Sequence, residues 1–290
     1  MKLTALALCA LLLVPGCARN TQASEQTTNP GLAATADESS PGSSPEVPVT
    51  ATSNADSLDG SFAELSATLP GEVGVAIAAA GGVRSFGPWA GGVAWSTIKV
   101  PLAIAALRHS AEEASSLVPK AIRDSDNTAA EELWAQLGEP KEAAKAVDAV
   151  LKEGGDTATA VESERKRKEF TAFGQTNWSV VDQATFMAAL PCLPNSEPVI
   201  TDMSNVAGNQ QWGMALRPDA ATKGGWGPSP EGAYLVRQVA IVTTENGHLG
   251  VALSALPQDG SFDSGVAQVG KLAEWVGQHL GEFTASKCPA

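Results

Sequence analysis

The stretch 93-VAWSTIKVPLAIAAL-107 decides how this chain is read, because one serine and one lysine interrupt an otherwise apolar helical run. A core helix carries alanine or leucine at such places, since a hydroxyl or an ammonium left against apolar neighbours costs kilocalories unless it is paired. Ser96 and Lys99 stand three residues apart, so a helix brings them to one face within side-chain reach. That is the arrangement of a serine nucleophile and a lysine base. The plainer reading makes Ser96 a helix cap and Lys99 a surface lysine whose stem lies on apolar neighbours. The pair alone does not choose between them.

Downstream, 124-DSDNTAAEEL-133 opens a helical run predicted from Thr128 to Leu137, which Ser125 or Asn127 would cap well. Further on, 222-TKGGWG-227 places a lysine and two glycines in a strand-like segment, where paired glycines ordinarily mark a bulge or a tight strand end. Taken together, Ser-x-x-Lys at 96–99, Ser-Asp-Asn at 125–127 and Lys-Gly-Gly at 223–225 resemble the active-site signature of class A β-lactamases and their penicillin-binding relatives. In that family the third motif reads Lys-Thr-Gly. The likeness runs past the motifs. Residues 121-AIRDSDNTAAEELWAQLGEPKEAAKAV-147 are similar to the family's Ser-Asp-Asn helix and its successor, and 234-YLVRQVAIV-242 with 248-HLGVALSAL-256 to its last two strands.

The hydrophobic pattern is compatible with that likeness. A first strand is predicted from Glu72, with a hairpin partner over Arg84 to Trp89. Helices are predicted over residues 96–109, 128–137, 141–155, 179–190, 196–206 and 265–280, and a surface loop over 156–177. Strands are predicted at 211–217, 220–227, 234–244 and 248–256, the last two joined by a turn at Glu245-Asn246-Gly247. Strands at both ends with helices between them imply an α/β (α+β) fold, an antiparallel sheet gathering N- and C-terminal strands and flanked by helices. Only 28 residues lie between Ser96 and Ser125, so the resemblance implies a β-lactamase/transpeptidase-like fold with a reduced helical lobe.

The resemblance also implies roles. Ser96 is the acylated nucleophile, its own N–H one oxyanion donor beside the positive end of its helix. Lys99 takes the proton, which requires that burial and the nearby charge of Lys223 depress its pKa. Ser125 relays that proton to the leaving group. Asn127 holds Lys99 and a substrate amide, and Lys223 orients Ser125 and attracts a substrate carboxylate. Trp226, after Gly225, supplies the second oxyanion N–H, and Arg237 matches more loosely an arginine that binds the same carboxylate.

Two departures bear on the chemistry. Gly224 lacks the hydroxyl that in the family bonds the substrate carboxylate. The Glu-x-x-Leu-Asn setting of the deacylating glutamate is missing from 161-VESERKRKEFTAFGQTNW-178, where Glu162, Glu164 and Glu169 stand among basic residues and read most simply as solvated carboxylates. Acylation without a placed base for deacylation is penicillin-binding behaviour rather than resistance.

The ends of the chain say where it works. Lys2, the apolar 4-TALALCALLL-13 and the cleavage-site residues 14-VPGC-17 form a secretory signal, similar in its ending to the lipobox of bacterial lipoproteins, so Cys17 is the expected lipidation site. Residues 18–58, rich in Ser, Thr, Pro and acids and without aromatics, read as a disordered tether, leaving 59–290 as the folded domain. Export favours oxidation, so Cys192 and Cys288 are predicted to form a disulfide. Those two cysteines and three scattered histidines give no metal-ligand spacing, so neither a metal nor another cofactor is expected. A net charge of −13 argues against nucleic acid as a partner.

The sequence therefore predicts a monomeric, lipid-anchored serine hydrolase on the extracytoplasmic face of the cell membrane. It would form an acyl-enzyme on Ser96 with a β-lactam, a peptidoglycan-type peptide or another small acyl donor. The alternatives are a catalytically weak or inactive envelope-binding module of the same fold and a lipoprotein that binds a soluble ligand.

Overall fold

The computed structural model describes residues 54–289, so the signal segment, Cys17 and most of the tether lie outside the described residues. The first helix, α1 (Asn54–Ala67), begins inside the segment assigned to the tether. Leu58 and Phe62, one helical turn apart, are 2% and 4% exposed, and Phe62 meets Phe86 and Trp275 at ring distances of 5.5 and 5.1 Å. The domain boundary at residue 59 thus moves N-terminally. Polar residues between the apolar ones dilute this helix's stripe in the sequence.

A hairpin of β1 (Gly71–Ala79) and β2 (Gly82–Phe86) comes next. A 3-10 turn, Trp95–Ile98, then runs into α2 (Lys99–His109). Two short helices, α3 (Ala111–Ala114) and α4 (Val118–Arg123), occupy the span before α5 (Asn127–Gln136) and α6 (Pro140–Glu153). A long loop, residues 154–179, leads to α7 (Val180–Ala189) and α8 (Glu197–Met203). The chain closes with β3 (Ala220–Pro228), β4 (Tyr234–Thr244), β5 (Gly247–Pro257) and α9 (Phe262–His279). The strand predicted at 211–217 is instead a 3-10 turn, Gly213–Leu216. Gly213 adopts φ +59°, which no extended strand tolerates, and the Gln238 side chain takes the backbone groups a ladder would have used, donating to Trp212 O and accepting from Met214 N.

All strand pairs are antiparallel in the order β2-β1-β5-β4-β3, so N- and C-terminal strands share one sheet and β3 is an edge. Strand periodicity divides the core into two. Val236, Ala240, Val242, Leu249, Val251 and Leu253 face α1 and α9, whereas Val239, Ile241 and Ala252 face the helical lobe. Gly250 lies on the second face, where a β-carbon would stand 2.1 Å from Ala184 O of α7; only glycine lets that helix come so close. Within the lobe, α2 is buried on every side, with Val100, Leu102, Ala103, Ile104 and Ala106 wholly inaccessible. A helix apolar all round must be central, and α5 and α6 pack around it.

The predicted disulfide is present between Cys192 and Cys288, with Cα atoms 5.3 Å apart and a sequence separation of 96. It holds the terminal segment whose Ser286 pairs with His248 at the start of β5. Cross-linking a loop of this length stabilises a fold by about 2–4 kcal/mol. Cys288→Ser is expected to lower the unfolding free energy by about that amount, and reductant should do the same to the native protein but not to the variant. Urea titrations with and without reductant check both.

Candidate active site

Three pieces of chain meet where the edge strand β3 abuts the helical lobe. The first is the turn carrying Ser96. Trp95 has φ +50°, a left-handed conformation that costs a bulky residue about 1–2 kcal/mol and is kept only where packing imposes it. Its indole lies where a Gly227 side chain would be, 2.5 Å from a β-carbon built there, and packs edge-on to Phe170 at 5.0 Å. Beneath the turn, Thr97 Oγ1 donates to Ala94 O at 2.6 Å and accepts from Gln183 Nε2 at 2.8 Å.

Arg237 anchors this assembly and does not reach the cleft. Its register partner on β3 is Gly225, so both lie on the lobe side of the sheet, but the segment before Ser96 roofs them. The guanidinium, wholly buried, donates to Gly92 O, Val93 O, Trp178 O and Gln183 Oε1 at 2.8–3.1 Å. Burial lowers its pKa to about 9, still protonated at neutral pH. The expected carboxylate-binding role is corrected accordingly: Arg237 positions the backbone leading to Ser96.

The second piece is β3. Ser229 N donates to Ala233 O and Thr243 N to Asp219 O, which fixes the odd-numbered residues of β3 as those hydrogen-bonded to β4. The N–H and C=O groups of Gly224 and Trp226 therefore point out from the free edge. Consistently, Gly224 O accepts from Lys223 Nζ at 2.9 Å. Gly225 lies against the Ser96 turn, where a β-carbon would be 2.9 Å from both Ser96 N and Thr97 N. The outward N–H of Trp226, next in the chain to Gly225, and the N–H of Ser96 therefore belong to neighbouring backbone, as two oxyanion donors must.

The third piece is the Ser-Asp-Asn turn. Asp126, rather than Ser125 or Asn127, caps α5, accepting from Ala129 N at 2.8 Å. This leaves Ser125, at φ +56°, and Asn127 to face the lysines. Lys99 Nζ donates to Ser125 O at 2.6 Å and Asn127 Oδ1 at 2.7 Å, with longer contacts to Asp126 O and Ser125 Oγ. Lys223 Nζ donates to Ser125 Oγ at 2.7 Å. Lys99 is 1% exposed, and desolvation lowers its pKa to about 7 against the opposing pull of Asp126. Desolvation first, and the charge of Lys99 second, push Lys223 well below the usual lysine range. Ser96 and Lys99 line one cleft of about 440 Å³ with Asn127 and Trp226, without a hydrogen bond between them in the resting structure, a common state before substrate tightens the site.

The loop supplies the cleft's aromatic wall, Phe170 and Phe173. Buried Gln175 organises it, accepting from Arg167 N and donating to Arg167 O, Phe170 O and Thr171 O. Of the loop glutamates, Glu169 alone lines the cleft; it is exposed, and its own N–H and then Arg167 hold its carboxyl below the usual range. Glu162 pairs with Lys166, which lowers it too, and Glu164 is exposed beside a separate cavity near Glu139. A further cleft carboxylate, Glu131, is bound to Arg165 at 2.5 Å. Sequence reasoning missed Glu131, although its place one turn after Asn127 was readable; Thr97, Gln175 and Gln183 carry no sequence signal.

The described residues bring one metal-like cluster together, Cys192, His248 and Cys288, but its two sulfurs are joined in the disulfide. No described helix is long and apolar enough to cross a membrane.

This architecture is the class A β-lactamase fold. The chain is similar to the TLA-3 extended-spectrum β-lactamase (TM-score 0.63, 16% identity, 78% of this chain and 98% of that one). It is likewise similar to a class A β-lactamase from Mycobacterium abscessus (TM-score 0.61, 17% identity, 77% and 99% covered). A reconstructed last common ancestor of Gram-negative class A enzymes matches at TM-score 0.59 and 21% identity over 77% and 99%. No protein-family model and no curated protein matches the chain.

If neutral Lys99 is the proton acceptor, the acylation rate should rise with pH through a midpoint near 7 as the ammonium loses its proton. Stopped-flow acylation across pH 5–9 checks this, and a flat or falling profile would remove Lys99 from that role.

Proposed function

We propose that the protein is a serine acyl hydrolase of the cell envelope that forms an acyl-enzyme on Ser96. The observation that supports this most is the lysine pair: two buried amines share Ser125, with Lys99 near neutrality at physiological pH beside Ser96, the only serine lining the cleft among the described residues. Nothing in fold maintenance calls for that arrangement, since two apolar side chains would fill the space at lower cost.

In this reading Ser96 Oγ attacks the acyl carbon and its proton passes to Lys99. The N–H groups of Ser96 and Trp226 donate to the developing oxyanion. As the intermediate collapses, Lys99 returns the proton through Ser125 to the departing group, and Lys223 keeps the Ser125 hydroxyl aimed. Water then hydrolyses the ester on Ser96. No carboxylate free of a cationic partner lines the cleft among the described residues, so this last step is slow. A placed general base contributes about 10²–10⁴-fold, which sets the scale of the delay.

Those same tied carboxylates support the second reading, a binding module of this fold with little or no turnover. Intact-mass spectrometry separates the two. Residues 54–290 are incubated with benzylpenicillin and, separately, with 4-nitrophenyl acetate. The expected result is an adduct on the native protein with at least one of them, persisting for many minutes, and none on Ser96→Ala. Neither adduct nor turnover with both probes would leave only the binding module.

The same proposal places the protein at the extracytoplasmic face of the membrane as a monomer held by lipid on Cys17. Residues 4–17 support this, and so does the disulfide, which belongs to an oxidising compartment. Cys17→Ala should move the protein from the membrane fraction to the soluble or secreted one. Retention in the membrane would remove the anchor.

A further inference from the structure

The reactive end of this site resembles that of enzymes whose substrates carry a carboxylate beside the scissile bond, yet the groups that would receive such a carboxylate have been withdrawn. At Gly224 no hydroxyl is present, and none fits: a β-carbon there would lie 2.7 Å from Cζ2 of Trp212, a ring that is 8% exposed and fixed. Lys223 keeps its expected bond to Ser125 Oγ, but it is wholly buried and also donates to Gly224 O, so it offers a carboxylate no direct contact at the cleft surface. Arg237 is sealed beneath the nucleophile turn with four carbonyl-type oxygens as partners.

The cleft's remaining charges do not replace them. Arg165 is paired with Glu131 and Glu169 with Arg167 at 3.1 Å. A substrate carboxylate entering here would lose hydration without gaining an unpaired cation among the described residues. What β3 offers instead is one aromatic side chain. Trp226 lines the cleft, half-buried, and is backed by Trp212 at 6.2 Å and Phe262 at 5.2 Å between ring centres.

We infer that the acyl donors this cleft prefers are uncharged on the leaving-group side, as in aryl or alkyl esters, and that a carboxylate there is selected against. The inference rests on Ser96 being the nucleophile. The step is an ordinary acyl transfer: the Ser96 Oγ–acyl bond forms, the acyl–oxygen bond to the leaving alcohol breaks, and the proton lost by Ser96 ends on that alcohol.

Two esters with one acyl group test it, methyl 3-acetoxybenzoate and 3-acetoxybenzoate. Their phenol leaving groups differ mainly in a carboxylate that is masked in one and free in the other. Acetylation of Ser96 is followed by mass, with Ser96→Ala as background. The neutral ester is expected to react at least about fivefold faster, because the carboxylate of the other loses hydration and finds no unpaired cation. In Glu169→Lys, which places a cation on the wall, the ratio of the two rates should fall several-fold. A smaller native ratio, or one unmoved in Glu169→Lys, overturns the inference and leaves the nucleophile standing. Acetylation by neither ester overturns the nucleophile reading and the inference with it.

Discussion

Two lysine side chains are buried beside each other, and most of the site follows from what that requires. Burial strips both ammonium groups of hydration, and the charge of Lys99 adds to the cost at Lys223, so both are easier to deprotonate than a lysine in water. The surrounding oxygens are then chosen to suit amines: Ser125 O and Asn127 Oδ1 for Lys99, Ser125 Oγ and Gly224 O for Lys223. Each acceptor comes from a different element from the lysine it serves, or from the edge of β3. The helical lobe and the sheet cannot drift apart without exposing an unpaired amine.

The same logic of buried charge explains the support under Ser96. Arg237 has no carboxylate partner among the described residues and is accommodated by carbonyl oxygens, which bind a guanidinium well because its donors are fixed in a plane. Those carbonyls belong to the segment before Ser96 and to the end of the long loop, so satisfying one buried cation fixes both. Gln183 extends the arrangement from α7 to Thr97. The strained backbone at Trp95 persists because this platform holds its neighbours and Gly227 leaves room for its ring.

The departures from the family pattern form a consistent set. A glycine replaces the motif's hydroxyl residue, a tryptophan covers it, an arginine turns inward, and the loop presents phenylalanines to the cleft. Loss of activity alone would not predict retention of every group around Lys99. The proposed acyl-enzyme reading, with the groups around Lys99 kept and carboxylate recognition and water activation reduced, accounts for both halves of the observation.

Much of the fold was legible in the sequence. Helices α2, α5, α6, α7 and α9 and strands β3 to β5 are marked by apolar periodicity and by Gly or Pro at their ends, and the three motifs single out Ser96, Lys99, Ser125, Asn127 and Lys223 by their residue types and their order along the chain. Helix α1, the short helices α3 and α4 and the turn at Gly213–Leu216 were not legible, because weak or interrupted stripes depend on partners distant in sequence. Motif and spacing also could not assign Arg237, since strand parity gives its face but not what roofs that face. Nor could they show that Asp126 caps α5, that Gln175 pins the loop or that Trp212 fills the space at Gly224. The sequence by itself determined which chemical groups are available and which local conformations they adopt, because these rest on neighbouring residues. Tertiary structure alone decided which charges are buried, which donors face the cleft and which substrate groups find a partner there, because desolvation and hydrogen-bond direction are set by residues brought together from across the chain.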